Sequence, residues 1–327
     1  MVIQWTRAQR RSTELARRLG VDVVFIYPGR ARWAGVLGRY LYCARETWRV
    51  LERRRPKAVV VVVPPNFLAL VVELFRWWRT PELRILYDAH TGAIIDRKWR
   101  WTLWIIRRAL TRPATGLITT LAELVPEVGG EVRNAFCLPD PFPHVAVAAE
   151  RDKEVSPPVA FVINSYSPDE PLPEIIRAAS LLPWVRFSVS GRLPRRVTVS
   201  PTDIPGNMKL TGFLPEEDYW RALARSTVAV VLTERRLTML SGAYEAVTVG
   251  VPMVLSDQPG LRAYFGGGAV FTINKAAAIA AAIHEAINRR DELAQGVRRV
   301  RTERENEWLD LFRPVREFFQ HSDHGFA

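Results

Sequence analysis

The segment Thr233-Glu-Arg-Arg-Leu-Thr-Met-Leu-Ser-Gly-Ala-Tyr-Glu-Ala-Val-Thr-Val-Gly-Val-Pro-Met-Val-Leu-Ser-Asp257 decides the fold of this chain. An apolar run, Val228–Leu232, leads into it, and a polar loop then precedes a helix predicted over Ser241–Gly250. A glycine and a proline end that helix, and Met253–Ser256 forms the next predicted strand. Strand, loop, helix and strand in this order predict a βαβ unit of a parallel sheet.

The start of the predicted helix is the first candidate site. Backbone N–H groups at a helix N-terminus have no intrahelical partner and can hold a diphosphate, which makes Thr238, Ser241 and Gly242 candidate contacts. Glu245 lies one turn inside, where its carboxylate can accept hydrogen bonds from ribose hydroxyls. The alternative is a surface glutamate that only stabilises the dipole of its own helix.

Short apolar runs alternate with longer helical patterns along the whole chain. In the first half, the predicted strands are Val21–Tyr27, Ala58–Val63, Arg84–Asp88, Gly116–Thr120 and Asn134–Leu138, and the predicted helices are Ala31–Arg54, Asn66–Arg79 and Arg97–Leu110. In the second half, the predicted strands are Val159–Ile163, Val185–Ser190, Val228–Leu232 and Met253–Ser256, and the predicted helices are Glu170–Leu182, Glu216–Arg225, Ser241–Gly250, Lys275–Asn288 and about Thr302–Phe319. Continuous apolar strands are typical of a parallel sheet covered on both faces.

Two successive βα arrays predict an α/β protein with two Rossmann-like domains facing a cleft. The length of 327 residues exceeds what one hydrophobic core usually serves, and the charged, proline-containing stretch 150–158 is typical of a linker. We therefore predict one domain over residues 1–150, a second over 151–301, and a helix over 302–327 that packs back on the first domain. Ligands of such domains bind at the carboxyl ends of the strands.

Composition and missing motifs narrow the function. The two cysteines, Cys43 and Cys137, lack disulfide or zinc-ligand spacing, which favours a reducing, cytoplasmic setting. The apolar stretch 58–78 is interrupted by Pro64-Pro65, so strand, turn and helix are predicted there instead of a membrane span. No GxGxxG, P-loop, HExxH or GxSxG motif occurs, and no cluster has metal-ligand spacing. We expect no metal and no cofactor.

The Glu245 helix, with its Gly-x-Pro ending, resembles the carboxyl-terminal domain of GT-B glycosyltransferases, notably the large retaining family four. This resemblance implies that the second domain binds a nucleotide-sugar donor carrying UDP or GDP. The chain departs from the family pattern in two places. Leu237 stands where the family has a second glutamate, and Ser165 and Glu170 stand where it has a pyrophosphate-binding arginine and lysine. Gly191 and Arg192 are candidate donor contacts, with Arg192 as the replacement cation.

Other short motifs resemble a second GT-B family, the β-mannosyltransferases that extend chitobiosyl-diphosphodolichol. They occur in the same order as in that family between about residues 5 and 265: Arg7-Ala-Gln9, Val63-Pro-Pro-Asn66, Asp88-Ala-His-Thr-Gly92, Ser167-Pro-Asp-Glu170 and Glu217-Asp218-Tyr219. This resemblance implies a lipid-linked acceptor, and a polysaccharide is the alternative. The two families differ in stereochemical outcome, so both outcomes stay open.

Within the first domain, His90 is the predicted catalytic residue. It follows a predicted strand, and its neutral imidazole can bond the donor sugar or orient the acceptor hydroxyl. The alternative is a histidine satisfied by backbone groups. Cations near a helix N-terminus do not stabilise the helix dipole, and a partner anion such as an acceptor phosphate would explain the group of Arg7, Gln9, Arg10 and the adjacent Arg11. The alternative is a solvated basic start to the chain. Asp88 is the remaining candidate acceptor contact, with a turn or capping role as its alternative.

Tryptophan and basic residues interleave in Phe75–Arg79 and Arg97–Arg108. On one helix Trp101, Trp104, Ile105 and Arg108 would share a face, which is typical of an interfacial helix on an anionic membrane. The alternative is that the tryptophans pack on the sheet. We predict a peripheral protein on the inner face of the membrane.

The formal net charge of +12 also permits a nucleic-acid partner. No helix-turn-helix, zinc-finger or RNA-recognition pattern occurs, so we predict no nucleic-acid binding. The departures at Leu237 and Glu170 keep open a GT-B-shaped protein without catalysis that acts as a scaffold.

Overall fold

A computed structural model describes residues 1–29, 35–145, 156–194 and 200–320. The first residues of the helix predicted from Ala31, most of the linker predicted over 150–158 and the end of the helix predicted over 302–327 lie outside these ranges. The chain divides into two compact units. Unit 1 comprises Met1–Pro141 and Glu307–Ala327, and unit 2 comprises Phe142–Asn306.

Unit 1 is built on a parallel sheet of six strands in the order β2-β1-β3-β4-β5-β6. These strands are β1 (Val2–Gln4), β2 (Val23–Phe25), β3 (Ala58–Val63), β4 (Arg84–Ala89), β5 (Thr115–Thr119) and β6 (Ala135–Cys137). Its helices are α1 (Arg10–Leu19), α2 (Gly35–Arg54), α3 (Phe67–Arg79), α4 (Thr91–Ile95), α5 (Arg97–Arg100), α6 (Leu103–Leu110) and α7 (Leu124–Val128). The continuous valine run of β3 is buried, as a strand covered on both faces requires.

Unit 2 repeats the plan with six parallel strands in the order β12-β11-β10-β7-β8-β9. They are β7 (Val159–Val162), β8 (Arg186–Ser190), β9 (Met208–Gly212), β10 (Val228–Val231), β11 (Met253–Ser256) and β12 (Ala269–Thr272). Its helices are α8 (Leu172–Leu181), α9 (Glu216–Ala224), α10 (Ser241–Val249), α11 (Pro259–Phe265) and α12 (Ala276–Asn288). The predicted α/β class with two Rossmann-like domains is confirmed.

The last helix, α13 (Arg290–Gln320), begins in unit 2 and ends in unit 1. It starts earlier than the predicted Thr302, because the charged residues before that position form the exposed side of a regular helix. In unit 1 four of its side chains join a core formed with α1 and the sheet: Trp308, Phe312, Val315 and Phe319. Unit 1 therefore draws part of its core from the far end of the chain.

Three of the observed strands, β1, β9 and β12, were not predicted from the sequence. No strand is predicted before Val21, yet β1 lies inside the first sheet between β2 and β3. Its three residues are too few to produce a recognisable period. The strands β9 and β12, which form the two edges of the second sheet, are also missed. Both are short, and β9 carries polar residues that dilute its apolar character.

The helix predicted over Arg97–Leu110 is broken into α5 and α6. The break follows from competition for one carbonyl, that of Trp99. It accepts hydrogen bonds from the backbone N–H of Thr102 at 2.9 Å and from its hydroxyl at 2.6 Å. The buried amide of Asn66 donates to the same carbonyl at 3.3 Å. A side-chain donor of this kind ends a helix because it replaces the next backbone bond. As a result, Ile105 is buried while Trp101 and Trp104 are exposed, so the predicted shared face is wrong for Ile105.

The stretch 58–78 forms β3, a turn and most of α3, as predicted. Across the described ranges, none of the helices has the length and apolar character needed to cross a membrane.

Candidate functional site

Each sheet has one point where the strand order reverses, and open α/β sheets bind ligands outside the carboxyl ends of the strands at that point. In unit 1 the reversal lies between β1 and β3, and in unit 2 between β7 and β10. The loops that follow these strands are therefore the candidate site in each unit.

At the carboxyl edge of unit 1, the centre of the polar network is Arg11, in the first turn of α1. Its guanidinium donates two bonds from Nε and one from Nη2 to the carboxylate of Asp88, at 2.8 to 3.1 Å. It also donates to Asp140 at 2.6 Å and to the carbonyl of Leu138 at 3.0 Å. Arg11 was grouped with residues that meet a partner anion, and this expectation is wrong because Arg11 is buried and paired within the protein.

Asp88 lies within β4 and is 1% exposed. Burial acts to raise the pKa of Asp88, but the charge of the Arg11 guanidinium and its hydrogen bonds lower it below its usual value. Its contacts are those of a structural anchor for Arg11, which differs from the acceptor contact predicted from the sequence. Removal from water explains why the carboxylate is paired so completely, since an unpaired buried charge is very costly.

His90 follows β4 directly and precedes α4. Its backbone N–H donates to the carbonyl of Val63, and its side chain remains partly exposed. The ring Nε2 lies 3.3 Å from the amide nitrogen of Gln9 and 3.9 Å from Asp88. With Gln9 as the donor, Nε2 of the neutral ring accepts and the proton is on Nδ1. The Gln9 amide oxygen in turn lies 2.8 Å from the hydroxyl of Ser12.

The two predicted acceptor-binding cations have different surroundings. The exposed Arg7 stacks its guanidinium over the Tyr27 ring at 4.5 Å and lies 3.5 Å from the Tyr27 hydroxyl. Arg10 is the first residue of α1 and is exposed. Of the predicted residues in unit 1, the structure joins Gln9, His90 and Asp88 in one network and leaves Arg7 beside Tyr27.

In unit 2, Glu245 lies on α10, the helix that follows β10. The phenol of Tyr219, on α9, donates a hydrogen bond to Oε2 of Glu245. The Tyr219 ring packs edge-on against Phe161 of β7, with ring centroids 5.6 Å apart. This packing fixes the phenol, and the phenol holds the Glu245 carboxylate. Tyr219 was quoted in a motif but was not predicted as a site residue, because nothing in the spacing of α9 and α10 places it beside Glu245.

The start of α10 lies close against the ends of two strands. A Cβ on Gly242 would come within 2.9 Å of Ile163 and 3.0 Å of Val231. Only a glycine lets the helix N-terminus approach so closely, and this places the N–H groups near Ser241 at the switch point. Thr238 lies in the preceding loop, where its hydroxyl donates to the carbonyl of Arg236 at 3.3 Å.

The turn after β7 is organised around Glu170. Its carboxylate accepts from the backbone N–H of Ser165 at 2.9 Å, from the Ser165 hydroxyl at 3.0 Å and from the backbone N–H of Ser167 at 2.8 Å. Burial raises the pKa of Glu170 despite these donors. A carboxyl group therefore fills the turn in which the resemblance to family four leads us to expect cations for a diphosphate.

Asp169 joins this turn to the end of β10. Its carboxylate accepts from the hydroxyl of Thr233 at 2.7 Å and from that of Ser167, and Arg235 lies 3.7 Å away. Burial acts to raise the pKa of Asp169, but these hydrogen bonds and Arg235 lower it. The loops on both sides of the switch point are thus tied by one side chain that sequence reasoning missed.

Gly191 follows β8 and has a φ of +106°. A Cβ there would lie 2.0 Å from the carbonyl oxygen of Asn164, so this position accepts only glycine. The exposed Arg192 lies next to it, with its guanidinium 5.6 Å from the ring of Phe213. The structure therefore gathers Ser165, Gly191 and Gly242 around the end of β7, while the contacts of Thr238 and Arg192 lie in neighbouring loops.

Within the described ranges, no three His, Cys, Asp or Glu side chains are grouped as a metal site requires.

Solved structures share this fold over nearly the whole chain. Sucrose-phosphate synthase from Thermosynechococcus elongatus superposes with a TM-score of 0.72 and 13% identity, covering 98% of this chain and 99% of that one. Anabaena HepE, solved in complex with UDP and glucose, gives a TM-score of 0.68 and 12% identity, covering 96% of this chain and 90% of that one. A putative UDP-N-acetylglucosamine 2-epimerase from Listeria monocytogenes gives a TM-score of 0.62 and 12% identity, with 99% and 97% coverage.

No protein-family model matches the sequence, and no curated protein sequence matches it significantly. At such low identity, the structural matches establish only the fold. The reaction has to be inferred from the residues of the candidate site. Two parallel six-stranded sheets, interleaved helices and these structural matches together show that the chain has the GT-B fold.

Proposed function

We propose that this chain is a glycosyltransferase that moves a sugar from a nucleotide-diphosphate donor to a lipid-linked or polysaccharide acceptor close to a membrane. Unit 2 binds the donor, which carries UDP or GDP, and unit 1 binds the acceptor. UDP is favoured because HepE, a protein of the same fold, was solved with UDP-glucose. The proposed location is cytoplasmic, on the inner face of the membrane.

The observation that carries this proposal is the arrangement of α10. Glu245 is held by the Tyr219 phenol at the carboxyl edge of the second sheet, and Gly242 brings the helix start against the strand ends. A carboxylate beside a helix N-terminus suits a nucleotide, since the carboxylate accepts from ribose hydroxyls and the N–H groups donate to phosphate. The same edge supplies Arg192 as a cation.

The chemistry follows from positioning and charge without a metal ion. The α10 N-terminus and Arg192 stabilise the negative charge that develops on the leaving diphosphate. His90, held by Gln9 as a neutral imidazole, orients the acceptor hydroxyl or the donor sugar. Arg7, Gln9 and Arg10 contact a phosphate of the acceptor.

The test is release of nucleoside diphosphate from a panel of UDP- and GDP-sugars, run with lipid-phosphate and oligosaccharide acceptors. We expect release with at least one donor, and we expect it to depend on the acceptor. A protein that neither binds UDP or GDP nor consumes any donor would contradict the proposal.

A second candidate is a GT-B-shaped scaffold without catalysis, and Glu170 favours it. Its carboxylate occupies three donors of the turn after β7, which lowers the capacity of that turn for a diphosphate. Nucleotide binding without transfer to any acceptor would favour this scaffold over the enzyme.

A further inference from the structure

Helix α3 departs in part from the pattern of a normal surface helix. Two of its three charged residues lie against unit 1: Arg76 is 3% exposed and donates to the Thr115 hydroxyl at 2.8 Å, and Glu73 accepts from Arg76 and from the buried phenol of Tyr87, whereas Arg79 is exposed. A surface helix usually buries its apolar stripe and exposes its charges. Helix α3 buries Leu68, Val72 and Phe75 in this way, but it also buries Arg76 and leaves other apolar residues at the surface.

The outer face of α3 is apolar along its length. Trp77 and Trp78 at its end are each 67% exposed, and Leu74 is 43% exposed. Leu70 and Val71, one turn earlier, are partly exposed on the same side. Contiguous exposed apolar surface of this kind marks an interaction site more often than a freely solvated one.

The neighbouring segment α5–α6 continues this surface and adds positive charge. Trp101 is 64% exposed and Trp104 is 55% exposed, and the Trp101 ring lies 5.9 Å from Phe67 of α3. Five cations are exposed on the same segment: Arg97, Lys98, Arg100, Arg107 and Arg108. From residue 97 to residue 110 the chain has no Asp or Glu.

The two exposed indoles of the α5–α6 segment, with cations beside them and no carboxylate between residues 97 and 110, fit one kind of partner best. Tryptophan is favoured at the headgroup level of a bilayer, where its ring is apolar and its N–H meets polar groups. Lysine and arginine beside it are attracted to the negative surface potential of anionic lipids. A second copy of this chain would bring the same five cations against each other, which opposes self-association through this face.

We propose that the outer faces of α3, α5 and α6, which we call the docking face, bind the surface of a bilayer that contains anionic lipid. For its biological setting, this inference rests on the proposed transfer to a membrane-proximal acceptor. Asn66 fastens the start of α3 to the carbonyls of Ala93 and Trp99, in the segment that directly follows His90. The docking face therefore brings lipid-linked groups to the edge of unit 1 that carries His90.

The experiment is flotation of the full chain with vesicles of phosphatidylcholine alone and vesicles of equal parts phosphatidylcholine and phosphatidylglycerol. We expect binding to the anionic vesicles that weakens as salt is added. The double variant Trp77→Ala with Trp104→Ala should lose roughly tenfold or more in vesicle affinity. The double variant Arg100→Gln with Arg108→Gln should lose roughly tenfold or more as well, because each cation near the surface is worth about fivefold.

Matched controls keep the result specific. Trp184→Ala removes a 43% exposed tryptophan from unit 2, and Arg298→Gln with Arg299→Gln removes two exposed cations there. Both controls should bind vesicles like the unaltered chain. Equal loss in the controls, absence of vesicle binding, or a dimer in solution that Trp77→Ala with Trp104→Ala dissociates would each overturn the docking face. UDP affinity, measured in parallel without vesicles, reports separately on the proposed donor site.

Discussion

Arg11 is a buried cation of unit 1 with two carboxylate partners. Its guanidinium is shared between Asp88, which is 1% exposed, and Asp140, whose side chain is 24% exposed. Removing one member of a buried pair leaves the other as an uncompensated charge, at a cost of about 3–5 kcal/mol. The expected loss of stability therefore differs between removal of the Arg11 cation and removal of the Asp88 carboxylate.

We predict that Arg11→Met lowers the free energy of unfolding by about 3–5 kcal/mol, because it leaves two carboxylates without their cation. Asp88→Asn should cost less, since Arg11 keeps Asp140 and the Leu138 carbonyl. Denaturant unfolding measures both. Arg17→Met, on the exposed side of the same helix, should leave the stability nearly unchanged, because exposed ion pairs contribute little.

The same pair has a defined pH dependence. The folded pKa of Asp88 is lowered, so its stabilising contribution is present above the unfolded value of about 3.9 and is lost as pH falls through the folded value. The stability difference between the unaltered chain and Asp88→Asn should therefore be constant near neutrality and shrink below about pH 4. A difference that grew on acidification would contradict the assignment.

Glu245 and its partner Tyr219 give the sharpest test of the donor site. Glu245→Ala removes charge-assisted bonds worth about 1.5–3 kcal/mol, so UDP affinity should fall roughly tenfold to 100-fold. Tyr219→Phe removes one hydrogen bond to the carboxylate and should weaken UDP binding by about fivefold while the fold is kept. Calorimetric titration measures both.

Two controls accompany that titration. Tyr40→Phe removes a phenol from unit 1, and Glu303→Ala removes an exposed carboxylate from α13. Neither should change UDP affinity. An unchanged affinity in Glu245→Ala itself would remove the role we give to that residue.

The loops at the switch point of unit 2 depend on backbone contacts that the sequence does not display. Gly191 touches the Asn164 carbonyl, and Gly242 touches Ile163, so the site rests on two close approaches between segments distant in sequence. The apolar alternation in the chain predicts the strands and the carboxyl-edge location. It does not predict Asp169 with Thr233, or Tyr219 with Glu245, because these pairs are created by tertiary packing.

The boundaries of helices and strands also divide into those that the sequence pattern predicts and those that tertiary contacts set. The valine run Ala58–Val63 matches β3 residue for residue, since a long buried strand dominates its own pattern. The helix predicted over Arg97–Leu110 is interrupted because Asn66 and Thr102 compete for the carbonyl of Trp99, a contact that no periodicity reveals. Arg11 was misread for a related reason: an arginine near the surface helix start looks solvated until Asp88 and Asp140 are brought to it.

We predict that Gly191→Ala lowers stability by about 1–3 kcal/mol and weakens UDP binding, because both the left-handed backbone and the Asn164 carbonyl oppose a side chain. Gly212→Ala is the matched control. Gly212 also has a positive φ, of 71°, but no atom lies within 4 Å of its added Cβ. Thermal unfolding and UDP titration of both variants separate backbone strain from the steric clash, and equal effects in the two would contradict the role of the Asn164 contact.

Among the described helices, α13 is the one that begins in unit 2 and ends in unit 1. Trp308 stacks on Phe312 with ring centroids 4.8 Å apart, lies under the guanidinium of Arg18 at 4.3 Å and donates to the Pro139 carbonyl at 2.9 Å. We predict that Trp308→Ala destabilises unit 1 by about 3–5 kcal/mol. Leu309→Ala, at a 55% exposed position next to it, should be nearly neutral. Proteolysis that cuts unit 1 of the Trp308→Ala variant no faster than that of the unaltered chain would contradict this role.

The use of α13 in both units has a consequence for synthesis on the ribosome. Residues 142–306 of unit 2 have all been made while unit 1 still lacks the segment that supplies Trp308, Phe312, Val315 and Phe319. Until the segment that carries these side chains has been made, the part of the first sheet that they cover lacks this cover, although that sheet was made first. We therefore expect unit 2 to complete its core before unit 1 does, and the waiting amino-terminal strands to be the part of the chain most in need of a chaperone.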